Sequence, residues 1–167
     1  MEAMEAILTR RSIRKYTDKP ISPECIDELI RAAMAAPSAH NAQPWHFVII
    51  EDHQILDKIP ETHPNAAVLY QAQVAIAVCG DSKNQSGWWM VDCAAATQNI
   101  LLAAHARGLG GVWIGIYPIA ARMRELQELI KLPDYILPLA LVSLGYPAEH
   151  KEPANRYDAA KIHRNLW

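Results

Sequence analysis

A cluster of positive charge near the amino terminus is the first group of residues suited to chemistry. The run RRSIRKY holds four cations, Arg10, Arg11, Arg14 and Lys15, with the hydroxyl of Ser12 between them. Guanidinium groups match phosphate oxygens with paired hydrogen bonds, and a hydroxyl adds one more donor. The run therefore predicts a site for a phosphate-bearing ligand. A solvated basic surface at the end of a helix is the alternative, because cations are mildly favourable there.

A second group is rich in side-chain amides. The segment PSAHNAQPW, Pro37 to Trp45, is stiffened by two prolines and carries Ser38, His40, Asn41 and Gln43. Amides both donate and accept hydrogen bonds, as the alternating carbonyl and N–H edge of a flavin or a nucleobase requires. The alternative is a helix-to-strand loop whose polar groups satisfy its own backbone.

Glycines mark a third segment, GLGGVWIGIYP, from Gly108 to Pro118. Its four glycines precede or interrupt a predicted strand and would let a flat ligand approach the backbone closely. The sequence has neither the G-x-G-x-x-G dinucleotide fingerprint nor the GxxxxGK[ST] phosphate loop. The segment by itself therefore identifies no particular ligand.

Other catalytic chemistries find little support in the sequence. The histidines between residues 40 and 63 lack metal-ligand spacing, and there is no G-x-S-x-G elbow for a serine nucleophile. Cys79 and Cys93 stand in apolar segments and are predicted to be inert core residues. Asp92 and Asn99 interrupt an apolar helix and are predicted to be buried polar groups bonded to backbone.

Apolar periodicity predicts the elements that must position these groups. Ser22 and Pro23 are start signals for a helix with one apolar face, which stops before Pro37. The other predicted elements are helices over 2–9, from Asp52 through Ile59, over 88–107 and from Pro118, and strands over 46–50, 73–79, 112–116 and 137–144. Helices and strands mix within one predicted domain, residues 1–167.

The composition bounds the class of protein. The 167 residues are 51% hydrophobic, so the chain can bury a core without metal or disulfide staples. A net charge of -2 argues against a dedicated nucleic-acid binder, which normally has a basic excess. Three cysteines without a C-x-x-C pair and an N-terminus without a signal-peptide pattern predict a cytoplasmic protein. The longest apolar stretch contains polar residues, so no membrane span is expected.

The carboxyl-terminal arm, residues 147–167, has little to bury in its own subunit. It is polar from Pro147 to Tyr157, yet it ends in Leu166 and Trp167. A polar arm with an apolar end needs another surface, and in a small protein that surface is often a second copy of the chain.

Taken together, these segments resemble one family, the FMN-dependent nitroreductases. RRSIRKY, PSAHNAQPW, the run DCAAATQNILLAAHARGLG from Asp92 to Gly110, and the closing RYD…H…W follow the family pattern in order. The similarity covers essentially the whole chain. It implies an α+β fold of three layers, with a small mixed sheet flanked by helices. It also implies a homodimer with FMN at the subunit interface and a C-terminal arm that wraps the partner.

The resemblance also implies roles for individual residues. The positions that match the FMN phosphate and ribityl contacts are Arg10, Ser12 and Arg14, with Arg11 beside them and Arg156 and Lys151 from the arm. The positions that match the loop on the partner's flavin ring are Pro37, Ser38, Ala39 and Asn41, with Gln43 as a ribityl or ring contact. The backbone of Ile114 and Gly115 matches the segment near the flavin N5 atom.

The implied activity is that of an oxidoreductase. NADH or NADPH would reduce bound FMN, leave, and be replaced by an acceptor such as a nitroaromatic or a quinone. No side chain is singled out as catalytic, because the cofactor carries the hydride chemistry. A flavin-binding sensor or carrier with little turnover is the alternative, and a structural homodimer with a decayed site is a third possibility.

The connection between the second predicted strand and the central helix departs from the family pattern. Only Asp81 to Gly87 stands where longer family members have an insertion that helps to cover the flavin. The pocket is therefore expected to be more open, or to be covered by Trp88, Trp89 and the segment from Asn65 to Tyr70.

Overall fold

Helices cover both faces of a small sheet in the computed structural model, which describes residues 1–84 and 87–167. The helices are α1 (Ala3–Thr9), α2 (Pro23–Met34), α3 (His53–Leu56), α4 (Ile59–Thr62), α5 (Trp89–Ala106) and α6 (Ala120–Leu129). The strands are β1 (Trp45–Ile50), β2 (Val74–Asp81), β3 (Gly110–Gly115) and β4 (Ile136–Gly145). Short 3₁₀ turns lie at Ala39–Asn41, Ala67–Gln71 and Ala159–Lys161.

The four strands form one sheet in the order β1-β2-β4-β3, and each neighbouring pair is antiparallel. The expectation of a mixed sheet is therefore corrected. Apolar periodicity identifies a strand but carries no information on its direction, which depends on the path of the connecting segments. A parallel pairing does occur, as an isolated bridge between Ser12 and Gly111.

Each face of the sheet has its own apolar core. On one face α2 and α5 enclose fully buried side chains such as Leu29, Ile76 and Ile100. On the other face α3, α4 and α6 enclose fully buried side chains such as Leu56 and Leu141. The α+β fold of three layers is thus confirmed. Within the described ranges, no helix is both long and apolar enough to cross a membrane.

Local signals in the sequence explain where several elements begin and end. The Ser22 hydroxyl accepts the Cys25 N–H at 3.3 Å, which confirms the predicted start of α2. Asp52 accepts the Gln54 N–H at 2.8 Å and caps α3, although the predicted single helix is divided into α3 and α4. Gly108 adopts a φ of 75°, a conformation that suits glycine, and so ends α5 as predicted.

Three boundaries differ from the predicted ones. Strand β2 continues through Gly80 to Asp81. Glycine is needed at position 80 because the ring of Trp89 fills the space that a side chain would occupy, and not because the strand ends there. Strand β3 already includes Gly110 and Gly111 instead of being entered through them. Helix α6 begins at Ala120, two residues after Pro118.

An irregularity in β4 determines where β3 leaves the sheet. The pairing of β2 with β4 shifts register next to Pro138, which has no N–H to donate. The Leu139 carbonyl accepts the N–H groups of Ile116 and Tyr117 at 3.1 and 3.0 Å. Strand β3 therefore ends at Gly115, which borders an open cavity of about 790 Å³.

Candidate functional site

The cation segment, residues 10–16, lies along the outer edge of β3. The Ile13 N–H donates to the Gly111 carbonyl at 3.1 Å, next to the bridge between Ser12 and Gly111. Gly110 permits this approach, because a Cβ there would lie only 2.7 Å from the Cβ of Ile13. An edge strand therefore fixes the path of the segment that carries the cations.

Guanidinium groups crowd the start of the cation segment. Burial lowers the pKa of Arg10, and the positive charges of Arg156 and Arg11 lower it further. In the part of the chain that the structure describes, the ion pairs with carboxylates involve none of Arg10, Arg11, Arg14 and Arg156. Clustered guanidinium groups without a carboxylate partner favour binding of an anion such as phosphate.

Two of the predicted phosphate ligands, Arg11 and Lys151, hold the arm in place. The Arg11 guanidinium donates to the Glu152 carbonyl. The Lys151 ammonium donates to the Ser12 carbonyl at 2.8 Å and pairs with Glu149 at 3.1 Å. Both cations border a separate cavity of about 390 Å³. They fasten the first part of the arm to the cation segment.

The main cavity has a volume of about 790 Å³ and opens beside the cation segment, the segment 63–71 and β3. Among its described lining residues are three cations and no carboxylate. The lining includes Arg14, Lys15, Asn65, Ile114, Gly115 and Arg122. The structure thus brings Arg14 together with Ile114 and Gly115 at one cavity. Arg10, Ser12 and Arg156 are not among the described residues that line it.

The glycine-rich segment borders the 790 Å³ cavity at one of its four glycines. Gly108 ends α5, and side chains at Gly110 and Gly111 would collide with Ile13 or approach the Ser143 carbonyl at 3.1 Å. A Cβ at Gly115 would meet no atom within 4 Å, and the same is true at Gly108, but only Gly115 is among the described residues that line the 790 Å³ cavity. Close approach of a ligand to the backbone was expected along all four glycines, but in this cavity the structure allows it only at Gly115.

A histidine that the sequence pattern did not single out holds the backbone at Gly115. His63 is buried, and its Nδ1 accepts the Asn65 N–H at 3.2 Å, so its Nε2 donates to the Gly115 carbonyl at 2.8 Å. Arg122 donates to the same carbonyl at 3.4 Å. Because the N–H and C=O of one β residue point to the same side, the Gly115 N–H also faces away from β4. In the sequence, the run His63-Pro64-Asn65 indicates a turn, but it does not indicate which residue His63 contacts.

The amide loop, residues 37–43, adopts an uncommon backbone conformation. His40, Asn41 and Gln43 have φ values of 54°, 53° and 48°. This left-handed region costs about 1–2 kcal/mol for each non-glycine residue. Within the loop, the Gln43 N–H donates to the Ser38 hydroxyl and the Gln43 amide to Asn41 Oδ1, each at 3.0 Å. The polar groups do bond to one another, yet His40, Asn41 and Gln43 stay exposed.

The amide loop and the start of the cation segment lie far apart in one chain. Ala39 donates its N–H to Asp92 in the first turn of α5. His105, in the last turn of α5, is bonded at 2.8 Å to Thr9, the neighbour of Arg10. These two turns are separated by about 20 Å along the helix axis. Moreover, no residue of the amide loop is among those that line the 790 Å³ cavity in the described chain.

The remaining polar and sulfur groups largely behave as predicted, although Asn99 is half-buried and not buried. Asn99 donates to the Ala32 carbonyl at 2.9 Å, and Asp92 accepts the Ala39 N–H at 3.0 Å. Burial raises the pKa of the Cys79 and Cys93 thiols to about 12, which leaves both in the unreactive thiol form at neutral pH.

The expected covers of the cavity are only partly in place. Asn65 and Val68 line the cavity, whereas the Trp89 ring packs edge-on against Tyr117, with the centroids 5.3 Å apart. Trp88 is exposed. Residues 85 and 86 of the short connection lie outside the described residues.

Comparisons with known proteins agree with this arrangement. The model of the Nitroreductase family matches residues 7–62 and 61–146. A protein of Methanothermobacter thermautotrophicus, named for NADH dehydrogenase and NAD(P)H nitroreductase, is 46% identical over 169 aligned positions, 100% of this chain and 88% of that protein. A solved structure with the same name from Parabacteroides distasonis is 45% identical, with a TM-score of 0.96 over 99% of this chain and 98% of that one. A solved nitroreductase from Desulfovibrio desulfuricans, in complex with FMN, is 29% identical, with a TM-score of 0.85 over 100% of this chain and 98% of that one. The chain belongs to the nitroreductase family.

Proposed function

We propose that this chain is an FMN-dependent oxidoreductase that passes electrons from NADH or NADPH to a nitroaromatic, a quinone or a similar acceptor. The observation that carries the proposal is the run of guanidinium groups, from Arg10 to Arg14, that forms no ion pair among the described residues and leads to the open Gly115 backbone. Donor and acceptor would use the same cavity in turn, in a ping-pong sequence. The free cysteines, Cys25, Cys79 and Cys93, support a reducing, cytoplasmic setting.

The residues present fit FMN. Its single phosphate matches the guanidinium groups of Arg10 and Arg156 and the hydroxyl of Ser12. Neither guanidinium group has a carboxylate partner in the described ion pairs. Its flat ring matches a cavity wall where Gly115 leaves room for close approach. When bound, FMN supplies the hydride chemistry.

The chain's own residues would bind FMN and orient its ring. Arg10 and Ser12 would hold the phosphate with charge-assisted hydrogen bonds. The Gly115 N–H would donate to the ring near N5, since His63 fixes the Gly115 carbonyl on the same side. Arg14, Lys15 and Arg122 place positive charge along the cavity, which favours negative charge that develops within it.

A second copy of the chain would complete the site. The amide loop, with Pro37, Ser38, Ala39, Asn41 and Gln43, lies away from the cation end of its own chain, so it would serve the cavity of the partner. An exposed apolar face on α1, with Met4, Ile7 and Leu8, supports a dimer. The arm also supports it, because Tyr157, Leu166 and Trp167 are almost fully exposed in one chain.

Two measurements on the purified protein test this proposal. Denaturation should release FMN, which chromatography separates from FAD, and sedimentation should give a dimer. Release of mainly FAD would contradict the single-phosphate site, and a flavin-loaded monomer would contradict the shared site.

A further inference from the structure

Asp92 is a buried carboxylate with an unusual set of partners. The residue is only 4% exposed, in the first turn of α5. Its Oδ1 accepts the Ala39 N–H at 3.0 Å, across 53 residues of sequence. Its Oδ2 is buried and has no hydrogen-bond partner in the described chain. The carboxylate thus ties the amide loop to the central helix with half of its acceptor capacity unused.

Such a group is poorly suited to a purely stabilising role. Taking a carboxylate out of water is costly unless both of its oxygens are bonded, and the partial positive charge at a helix N-terminus offsets only part of that cost. An uncharged residue of similar size would be at least as stable at this position. The presence of Asp92 therefore calls for a reason other than stability.

The strained amide loop supplies that reason. Left-handed conformations at His40, Asn41 and Gln43 persist only if the surroundings hold them, and such strain is concentrated at ligand clamps. The hydrogen bonds between Gln43, Ser38 and Asn41 lie inside the loop and move with it. The bond from Ala39 to Asp92 anchors the loop to the helix, and it is shorter than the 3.4 Å contact between Asn84 and the Ala42 carbonyl.

We propose that Asp92 is the positioning residue of the amide loop: its carboxylate holds the Ala39 N–H and so presets the loop in the shape that meets the flavin of the partner subunit. The inference rests on the proposed function. It assigns to Asp92 a role that acts through Ala39, across the subunit interface, on a site to which Asp92 does not itself belong.

Asp92→Ala removes the acceptor and should weaken FMN binding about tenfold or more, the effect of one charge-assisted hydrogen bond. Asp92→Asn keeps an acceptor oxygen, so it should bind FMN within about threefold of the wild type and melt no lower. Asn99→Ala is the matched control, because Asn99 lies on the same helix and bonds to α2. It should leave FMN affinity unchanged. An Asn99→Ala effect as large as that of Asp92→Ala would overturn the proposal, as would an Asp92→Ala protein with wild-type affinity.

Ala39→Pro removes the donor at the other end of the same bond and covers the case in which Asp92→Ala does not fold. Proline suits the first position of a helical turn, and Ser38 already has the extended conformation that precedes proline, with φ -139° and ψ 149°. Ala39→Pro should weaken FMN binding as Asp92→Ala does, and the double variant should be no weaker than either single variant. Additive losses would show that the two residues act separately.

Mixed dimers test the action across the interface. A dimer of one Asp92→Ala subunit and one Arg14→Ala subunit combines an intact cation segment with an intact amide loop at one of its two sites. That site should bind FMN with wild-type affinity, and the other should be weaker than either parent. Loss of tight binding at both sites would overturn the proposal. A wild-type protein without flavin would instead count against the proposed function itself.

Discussion

Replacement of Arg14 by alanine tests the cation segment most sharply. Arg14 lines the 790 Å³ cavity near Gly115 and forms no ion pair with a carboxylate among the described residues, so its charge is available to a ligand. A hydrogen bond to a charged group contributes about 1.5–3 kcal/mol, which corresponds to a loss of FMN affinity of roughly 10- to 150-fold. Arg10→Ala should fall in the same range, since Arg10 is half-buried beside Arg156.

Fluorescence titration of the apoprotein with FMN measures these affinities. Arg124→Ala is the control for diffuse charge, because Arg124 is an exposed cation on α6 outside the cavity lining. Lys15→Ala is expected to change affinity by no more than about threefold, because an ammonium is a strongly hydrated point charge without the paired donors of a guanidinium group. The reasoning is refuted if all four variants lose affinity equally, or if the Arg14→Ala loss disappears at high salt, where only diffuse charge is screened.

Three further results are expected. Gly110→Ala should lower the free energy of unfolding by about 1–3 kcal/mol, because its Cβ would collide with Ile13, whereas Gly115→Ala should melt like the wild type and lose FMN affinity; equal melting temperatures for the two variants would contradict the contact. Deletion of the arm, residues 147–167, should yield monomers that bind FMN more weakly, and sedimentation with and without added FMN measures both effects. A stable dimer with full flavin would show that the arm is dispensable. Cys79 and Cys93 should resist thiol reagents at pH 8 until the protein unfolds; because their pKa rises from 9.0 to about 12 on folding, the unfolded chain loses protons first, and stability should fall as the pH rises above 9.

Local chemistry in the sequence predicted much of the fold. Ser22 with Pro23, Asp52 and Gly108 act on neighbouring backbone groups, so their capping roles follow from sequence order alone. Strand direction did not follow, because it depends on how distant segments cross the sheet.

The candidate site was predictable in its parts but not in its arrangement. The residue types near Arg10 indicated a binding site for an anion, and those near Gly115 indicated that a flat ligand could approach the backbone closely. The sequence could not show that Arg11 turns to the Glu152 carbonyl, because the two residues are 141 positions apart. The role of His63 was also hidden, since its partner Gly115 is 52 residues away in the sequence.

Anaerobic stopped-flow mixing of the purified protein with NADH or NADPH tests the central claim most directly. The account predicts that the visible flavin band bleaches within seconds with at least one of the two donors. The band should return when a quinone or a nitroaromatic is added, and Arg14→Ala should need more added FMN to give the same amplitude. A flavin band that stays unchanged with both donors would contradict the account and leave a flavin-binding protein without this activity.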